Sequence, residues 1–382
     1  MPLDPRALFD ALRAVGVREF SGVPCSILDP IIMAAERDGT VAYVPASVEG
    51  EAVAIAAGAW LGGSMGAVLL QNSGLGNTIN PLASLAIPYG IPMILIVSWR
   101  GEPGKKDAVH HYPMGAATIG LFELFGLPFE VLTEESDLAA VASRAYGAAV
   151  ERRLPAAIVV PRGLFLKQPP PGPKPVTAVA QAFTAPRVFA GSALPSRSEV
   201  MRLILARLGE AAVVSTTGYA SRELASYESV RHFPMQGSMG FALGIGLGLT
   251  RGAPKRPVVV IDGDGALIMR LGSLATVGHL SPPGLVHFVL DNGAYASTGG
   301  QATVSSNVDF AAVALACGYR QAATCLGGES LVQALDYALA ARGAGPILVR
   351  IMISLEEPEP RERPAVSPPD IARRFREAAS AE

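Results

Sequence analysis

The chain has 382 residues, of which 50% are hydrophobic and 17% are charged, and its formal net charge is −2 at pH 7. This length is enough for two ordinary domains, and the near-neutral charge gives no basis for nucleic-acid binding. No apolar run reaches the roughly 20 residues of a membrane span. The three cysteines lack metal-site spacing, which indicates a reducing compartment, so we expect a cytoplasmic protein. From its charge and its short apolar runs, we expect it to bind neither nucleic acid nor membrane.

Short apolar segments alternate with helical patterns in the first half of the chain. Asp4 and Pro5 have the pattern of a helix N-cap and first turn, and Leu8, Leu12 and Val15 share one face of that helix. Two further helices are predicted over residues 49–61 and 136–152. The predicted strands of this half cover residues 19–23, 41–44, 66–71, 92–98, 129–132 and 156–160.

A proline-rich segment, residues 167–195, follows the first half. Proline cannot donate to a sheet and favours an extended backbone, so this segment is predicted to be a linker. The alternation then resumes, and residues 356–382 form a charged tail with a short helix after Pro369. The pattern predicts an α/β protein with two doubly wound parallel sheets, in domains 1–166 and 196–355. The predicted strands of the second domain cover residues 212–216, 258–261, 285–290, 320–323 and 347–351.

Polar residues follow two neighbouring strands of the second domain. Asp264 lies in a Gly-Asp-Gly motif after the apolar run 258–261, and Asn292 follows the next strand. Parallel strands place their carboxyl ends at one edge, so Asp264, Asn292 and the carbonyl of Ala294 are candidate ligands for Mg²⁺. Amides at the start of the following helix, including that of Ala266, suit a phosphate. The alternative is an ordinary turn in which Asp264 only caps the helix.

Two other segments of this domain are candidates for contact with a phosphate-bearing ligand. Thr217 and Gly218 follow a strand and offer hydroxyl and amide donors, although an ordinary turn has the same pattern. Gly237 and Met239 precede a helix of small residues, in which Met239 is alternatively a core residue. The glycines of segment 244–248 depart from the dinucleotide-binding pattern and do not directly follow a strand.

Together these motifs resemble the diphosphate-binding domain of thiamine-diphosphate (ThDP) enzymes, whose signature is Gly-Asp-Gly followed by Asn-Asn. Asp291 stands in place of the first Asn here. In the first half, segment 48–52 looks like the one carrying the cofactor-activating glutamate, segment 73–80 looks like a glycine-rich turn, and the pair at 110–111 looks like the paired histidines of 2-oxo acid decarboxylases. Five stretches are similar to the phosphonopyruvate and sulfopyruvate decarboxylase family, namely 21–26, 71–77, 99–101, 235–240 and 297–301.

This resemblance implies ThDP and Mg²⁺ as cofactors and catalytic roles for Glu49, His110 and His111. Glu49 is expected to hydrogen-bond N1′ of the aminopyrimidine ring. From the residues alone, the preferred interpretation of Glu49 is an acid at a helix N-terminus, and the histidines are alternatively a surface pair or zinc ligands. The implied cofactor-binding residues are Gly74, Thr217, Gly218, Gly237, Met239, Gly263, Asp264, Gly265, Ala266, Asn292 and Ala294, with the metal held by Asp264, Asn292 and Ala294.

Two departures from ordinary pyruvate decarboxylases concern the substrate. Ser26 and Thr298 stand where those enzymes carry acids, and the loss of negative charge suits a 2-oxo acid with a second anionic group. The expected reaction is decarboxylation of 3-phosphonopyruvate to phosphonoacetaldehyde, with 3-sulfopyruvate or another 2-oxo acid as alternative substrates. The expected substrate-binding residues are Ser26, Arg100, Lys105, Ser297 and Thr298.

The sequence leaves two alternatives to a decarboxylase: a ThDP-binding protein without catalytic activity, and a nicotinamide-dependent dehydrogenase. The resemblance also implies a homodimer or a larger assembly, with active sites at the subunit interface. No third domain is expected between the two halves, because only the proline-rich linker separates them.

Overall fold

The computed structural model describes residues 2–41, 43–166, 184–341, 343–355 and 362–380. The chain divides into two compact units, one of Met1–Trp60 with Ser64–Ala182 and one of Leu61–Gly63 with Phe183–Glu382. Most of the predicted linker, residues 167–183, and the first part of the predicted tail, residues 356–361, lie outside the described residues.

The first unit contains a six-stranded sheet in which all paired strands are parallel. Its strand order is β2-β1-β3-β4-β6-β5. The strands are β1 (Val17–Gly22), β2 (Tyr43–Pro45), β3 (Met65–Gln71), β4 (Met93–Trp99), β5 (Phe129–Val131) and β6 (Pro155–Pro161). The helices are α1 (Pro5–Ala14), α2 (Asp29–Asp38), α3 (Glu49–Leu61), α4 (Leu75–Pro81), α5 (Ile87–Tyr89), α6 (Tyr112–Leu124) and α7 (Leu138–Arg152).

Local sequence explains how helix α1 begins and which of its residues are buried. Asp4 accepts a hydrogen bond from the backbone amide of Arg6 and caps α1, and Pro5 occupies the first turn as predicted. Leu8 and Leu12 of α1 are fully buried in the core beside the sheet. The central strands β3 and β4 are buried along nearly their whole length, as expected for a sheet covered on both faces.

The second unit contains a seven-stranded parallel sheet of order β7-β14-β15-β11-β10-β8-β9. The strands are β7 (Arg187–Phe189), β8 (Ala212–Ser215), β9 (His232–Pro234), β10 (Val258–Gly263), β11 (Leu285–Asp291), β14 (Gln321–Cys325) and β15 (Ile347–Met352), and β12 (Ala294–Tyr295) pairs with β13 (Gln301–Ala302) in a separate hairpin. The helices are α8 (Arg197–Leu205), α9 (Tyr219–Ala225), α10 (Ala242–Gly252), α11 (Asp264–Met269), α12 (Ser273–Leu280), α13 (Phe310–Ala316), α14 (Leu331–Ala340) and α15 (Pro368–Ser380).

The two parallel sheets confirm the predicted fold class, and every predicted strand is present to within a few residues. Four short strands were not predicted, namely the two strands of the β12–β13 hairpin and two strands of the seven-stranded sheet. Arg187–Phe189 lies inside the segment predicted to be linker, and His232–Pro234 lies before the small-residue helix. Both are three-residue strands at the two edges of the second sheet, too short to produce a periodic pattern. The described helices include none with the length and apolar character that crossing a bilayer requires.

Candidate active site

The ends of β10 and β11 lie side by side in the second unit. Their register pairs Gly263 with Leu290, so the chain leaves both strands at the same edge of the sheet. Asp264 begins α11 directly after β10 and is only 2% exposed. Asn292 follows β11, and its side-chain oxygen accepts a hydrogen bond from the amide of Ala294 over 3.1 Å. The predicted metal ligands therefore belong to one edge of one sheet.

A cavity of about 100 Å³ opens at this edge. Gly237 and Thr298 do not contribute to its lining, nor do the predicted residues of the first unit. The structure nevertheless brings ten of the predicted site residues together around it. They are Thr217, Gly218, Met239, Gly263, Asp264, Gly265, Ala266, Asn292, Ala294 and Ser297.

Two polar groups in the cavity wall have no hydrogen bond to the part of the chain that the structure describes. They are the hydroxyl of Thr216 and one carboxylate oxygen of Asp262, and the latter lies 3.7 Å from Nε2 of the buried His287. A Cβ on Gly265 would lie 2.3 Å from the ring of Tyr295, so only glycine lets this ring pack against the start of α11. Backbone amides at the start of α11, a hydroxyl, and carboxylate and amide oxygens form a set of groups that suits a diphosphate with a bound cation.

The Asp264 carboxyl is in an environment that favours its neutral form. Burial raises its pKa above the ordinary value, and the nearby Asp291 carboxylate adds to this, whereas a hydrogen bond from the hydroxyl of Thr303 acts in the opposite direction. A cation bound beside Asp264 would favour the ionised form. A bound cation would therefore oppose the effect of burial on this pKa.

The side chain of Thr298 makes its hydrogen bonds within the β12–β13 hairpin. Its hydroxyl lies 3.1 Å from the carbonyl oxygen of Tyr295 and 3.0 Å from the side-chain oxygen of Gln301. Ser297, by contrast, lines the cavity and lies against Gly218, where an added Cβ would be 3.1 Å from the Ser297 hydroxyl. The two predicted substrate residues of this segment therefore have different surroundings.

Arg197 lines the cavity but was not predicted. It is 7% exposed, its Nε donates to Glu223 over 2.8 Å, and its guanidinium lies over the ring of Tyr219 at 5.2 Å. In the sequence, Arg197 directly follows Ser196, which caps α8, so it has the pattern of an ordinary first-turn residue. Nothing in the sequence connects it to Glu223, because that contact depends on how α8 packs against α9.

A larger cavity, of about 690 Å³, lies elsewhere in the second unit. It is bounded by α9, β9 and residues from 362 to 374, and no predicted site residue lines it. The chemistry of the lining, rather than the volume, distinguishes the cavity at the strand ends.

In the first unit, Glu49 begins α3 beside the turn that follows β3. The side-chain amide of Asn77 donates to Oε2 of Glu49 over 2.7 Å. A Cβ on Gly74 would lie 2.2 Å from Oε1 of the same carboxylate, so the glutamate occupies space that only glycine leaves open. The structure therefore brings Glu49 and Gly74 together, as the sequence-based assignment requires, and adds Asn77.

Glu51 has a different environment. It is fully buried, and its Oε2 accepts a hydrogen bond from the amide of Ser47 over 2.6 Å. A glutamate in the first helical turn that reaches back to an amide before the helix stabilises the N-terminus. Glu51 thus has a structural role in α3, and Glu49 is the carboxylate that faces the turn.

Arg100 and Lys105 both have carboxylate partners. Arg100 forms a two-pronged ion pair with Asp107, at 2.6 and 2.8 Å, and Asp107 also accepts from the amide of Gly101. The pKa of the Asp107 carboxyl is held well below its usual range, chiefly by the hydrogen bond from Arg100. Lys105 pairs with Glu102 over 2.8 Å and is 56% exposed.

The rings of the predicted histidines lie against each other just before α6, at an interplanar angle of 49°. Their ring centroids lie 4.1 Å apart, His110 is exposed, and His111 is 7% exposed. Burial lowers the pKa of His111 below its ordinary value, and the positive charge of Arg100 adds to this. Among the described side chains, no three from His, Cys, Asp or Glu come together in a way that suits a metal ion.

Ser26 lies in the exposed turn between β1 and α2. The neighbouring Cys25 is half-buried, and its thiol lies 3.3 Å from the hydroxyl of Ser98 at the end of β4. The turn carrying Ser26 is thus attached to the carboxyl end of the first sheet.

Comparison with known proteins identifies the class of enzyme to which this chain belongs. The family described as "Thiamine pyrophosphate enzyme, N-terminal TPP binding domain" matches residues 5–118, and "Thiamine pyrophosphate enzyme, C-terminal TPP binding domain" matches residues 212–351. The structure superposes on benzoylformate decarboxylase from Polynucleobacter necessarius with a TM-score of 0.72 at 14% identity, covering 94% of this chain and 100% of that one, which supports the fold. Both units are thus domains of a ThDP-dependent enzyme.

Relatives of similar length narrow the assignment. The chain is 45% identical over 372 residues to phosphonopyruvate decarboxylase of Streptomyces viridochromogenes, covering 97% of this chain and 93% of the relative. It is 27% identical over 344 residues to sulfopyruvate decarboxylase of Methanosarcina acetivorans, covering 86% of each. The chain belongs to the phosphonopyruvate decarboxylase family of ThDP-dependent decarboxylases. Other relatives are named as alpha and beta subunits of sulfopyruvate decarboxylase.

Proposed function

We propose that this chain decarboxylates 3-phosphonopyruvate to phosphonoacetaldehyde and CO₂, with ThDP and Mg²⁺ as cofactors. The observation that carries the choice of substrate is the high identity to a phosphonopyruvate decarboxylase along nearly the whole chain. The lower identity to a sulfopyruvate decarboxylase makes 3-sulfopyruvate the second candidate. The cavity at the strand ends supports the cofactor assignment in the second unit, and the Glu49–Asn77 contact supports it in the first.

Residues of the second unit are proposed to hold the cofactor's diphosphate. Asp264, Asn292 and the carbonyl of Ala294 would bind Mg²⁺, and the cavity wall at 216–218 and 263–266 would donate to phosphate oxygens. Gly237 and Met239 are proposed to contact the organic part of the cofactor. When bound, ThDP supplies a carbon nucleophile and an electron sink for the 2-oxo acid.

Residues of the first unit are proposed to manage protons. Glu49 would hold a proton at N1′ of the aminopyrimidine ring, next to the turn that contains Gly74. In the reaction the C1–C2 bond of the substrate breaks, CO₂ leaves, and a proton is added at C2 to complete the aldehyde. His110 and His111 are proposed to position the substrate and to move that proton. Burial lowers the pKa of His111, which makes its protonated ring a stronger acid and so favours transfer of that proton to C2.

The second anionic group of the substrate needs donors without nearby free carboxylates. Ser26, Ser297 and Thr298 are the proposed hydroxyl donors. Arg100 and Lys105 are the proposed cations, and each would have to share its charge with an existing carboxylate partner. The exchange costs less at Lys105, whose side chain is 56% exposed, than at Arg100, whose side chain is 18% exposed.

The proposed assembly is a homodimer or larger, in which active sites form at subunit interfaces, and the proposed location is the cytoplasm. The first unit supplies Glu49 and the histidines, and the second supplies the metal ligands, so a complete site requires both kinds of unit. Light scattering tests the assembly: a monomer with full activity would contradict it.

A comparison of kcat/KM for phosphonopyruvate, sulfopyruvate and pyruvate, with ThDP and Mg²⁺ present, tests the function. We expect CO₂ release to be fastest with phosphonopyruvate. A higher kcat/KM for sulfopyruvate would favour the second candidate, and cofactor binding without turnover of any 2-oxo acid would favour a non-catalytic protein. A rise in melting temperature with NAD but not with ThDP would indicate a dehydrogenase instead.

A further inference from the structure

The segment after Asn292 folds back onto the carboxylate of Asp264. The hydroxyl of Thr303 donates a hydrogen bond to Oδ2 of Asp264. The amide of Thr303 also donates to the carbonyl of Gly293 over 2.8 Å, so one residue contacts both the Gly-Asp-Gly motif and the loop that carries the other predicted ligands. Thr303 was not predicted from the sequence, and its position lies beyond the Gly-Gly-Gln segment that carried the family resemblance.

Ser305 attaches the same segment to the end of β11. Its hydroxyl donates to Oδ1 of Asp291 over 2.9 Å, and the side chain is 2% exposed. Its amide lies 3.3 Å from the Thr303 hydroxyl. Asp291 also accepts from the amide of Gly293 over 3.0 Å, which fixes the backbone on both sides of Asn292. The segment is therefore attached at both strand ends.

Arg350 anchors the fully buried Asp291 from the neighbouring strand β15. Its Nε and Nη2 lie 2.8 and 2.6 Å from Oδ2 of Asp291, and its guanidinium also donates to the carbonyl of Val308 over 3.3 Å. The guanidinium lies over the ring of Phe310 at 5.4 Å. A buried ion pair with further hydrogen bonds is rigid, so the loop it holds has a fixed position relative to the sheet.

These contacts have a consequence for the cation site. A hydrogen bond to one oxygen of a carboxylate fixes the orientation of the other oxygen, and outer partners of this kind set the affinity of a metal site. We propose that Thr303 is a positioning residue of the Mg²⁺ site: its hydroxyl holds Oδ2 of Asp264 so that the remaining oxygen faces Asn292 and the Ala294 carbonyl. This inference rests on the proposed function, because it assumes that Asp264 binds Mg²⁺.

The experiment measures Mg²⁺ binding rather than turnover. The full chain, saturated with ThDP, is titrated with Mg²⁺ in a calorimeter. Thr303→Val keeps the branched shape but removes the hydroxyl, and we expect it to raise the Kd for Mg²⁺ by about 10- to 100-fold. Thr303→Ser keeps the hydroxyl and should restore the parental Kd. Thr250→Val is the matched control, since the Thr250 hydroxyl only donates to the carbonyl of Leu247 within α10.

The outcomes separate the possibilities. A parental Kd in Thr303→Val, or equal weakening in the Val and Ser variants, would overturn the role of the hydroxyl. A parent chain that binds no Mg²⁺ in the presence of ThDP would overturn both this inference and the proposed cofactor site. Tight Mg²⁺ binding that depends on the hydroxyl, in a chain that does not decarboxylate phosphonopyruvate, supports the inference and overturns only the proposed substrate.

Discussion

The side-chain amide of Asn77 donates to Oε2 of Glu49 over 2.7 Å, and this contact joins α4 to the first residue of α3. It leaves Oε1 of Glu49 beside Gly74. If Glu49 holds the proton at N1′, its carboxylate must be oriented before the cofactor binds, and Asn77 is the residue that orients it.

Replacing Asn77 by alanine should therefore reduce kcat. A hydrogen bond to a charged group contributes about 1.5–3 kcal/mol, so we expect a loss of about 10- to 100-fold. The measurement is steady-state CO₂ release at saturating ThDP. In a chain that already carries Glu49→Gln, the same replacement should have little further effect, because the carboxylate is gone. Equal losses in both backgrounds would show that Asn77 acts independently of Glu49.

Gly74→Ala tests the space beside the carboxylate. The added Cβ would lie 2.2 Å from Oε1 of Glu49, so the glutamate has to move and kcat should fall by at least about 100-fold, as expected when a proton-transfer group is displaced. Gly76→Ala is the matched control, since its Cβ meets nothing within 4 Å. Both chains should keep the parental circular dichroism spectrum. Full activity in Gly74→Ala would mean that Glu49 tolerates another position.

Much of the fold follows from local patterns. Helix α3 covers Glu49–Leu61, as predicted, because its alanine-rich apolar sequence has no strong helix breaker between the turns at its ends. The buried strands were predicted because long apolar runs mark the centre of a parallel sheet. Arg187–Phe189 and His232–Pro234 were not, because a three-residue edge strand is stabilised by its neighbour in the sheet rather than by its own sequence.

The site was predictable where chemistry is carried by a motif and unpredictable where it depends on packing. The Gly-Asp-Gly motif and Asn292 follow strands that are adjacent in the sheet, so their proximity could be inferred. The partners of these residues could not. Thr303 reaches Asp264 through a hairpin, and Arg197 reaches Glu223 across two helices, and neither spacing has a sequence pattern. The ion pair of Arg100 with Asp107 was likewise missed, because it forms inside an irregular loop.

The pKa of His111 gives a pH-dependent prediction. Burial and the charge of Arg100 lower this pKa in the folded chain, below the value of about 6.5 expected in the unfolded chain. The folded state therefore binds fewer protons in this range, so stability is full above pH 6.5 and falls as the pH drops through the folded pKa. NMR titration of the ring should show the lowered pKa, and Arg100→Gln should raise it.

The lowered pKa of His111 also predicts how the free energy of unfolding changes with pH. His111→Gln removes the ionisable group, so its free energy of unfolding should fall less than that of the parent between pH 7.5 and pH 5. His110→Gln removes the exposed ring of the two histidines and so controls for the loss of the contact between their rings. An identical pH dependence in the parent and in His111→Gln would show that burial does not perturb this ring.

Removing one partner of the ion pair between Asp291 and Arg350 should strongly destabilise the second unit. Asp291 is fully buried, and Arg350→Met leaves its carboxylate without a cation, which costs about 3–5 kcal/mol in comparable cases. Asp291→Asn should cost less, because the amide oxygen still accepts from Arg350 and the guanidinium is partly exposed. The measurement is the free energy of unfolding in urea without ThDP or Mg²⁺, so that cofactor binding does not contribute.

Arg373→Met provides the matched control for this last prediction. Arg373 lies on α15, is 47% exposed and pairs with Asp370 and Glu377 at the surface, where such pairs contribute only about 0–1 kcal/mol. A loss in Arg350→Met no larger than in Arg373→Met would contradict the role of the buried pair. A large loss in Arg350→Met, with a small one in Asp291→Asn, would show that the cost arises from the unpaired carboxylate rather than from the missing side-chain volume, since only the first variant leaves Asp291 charged and alone.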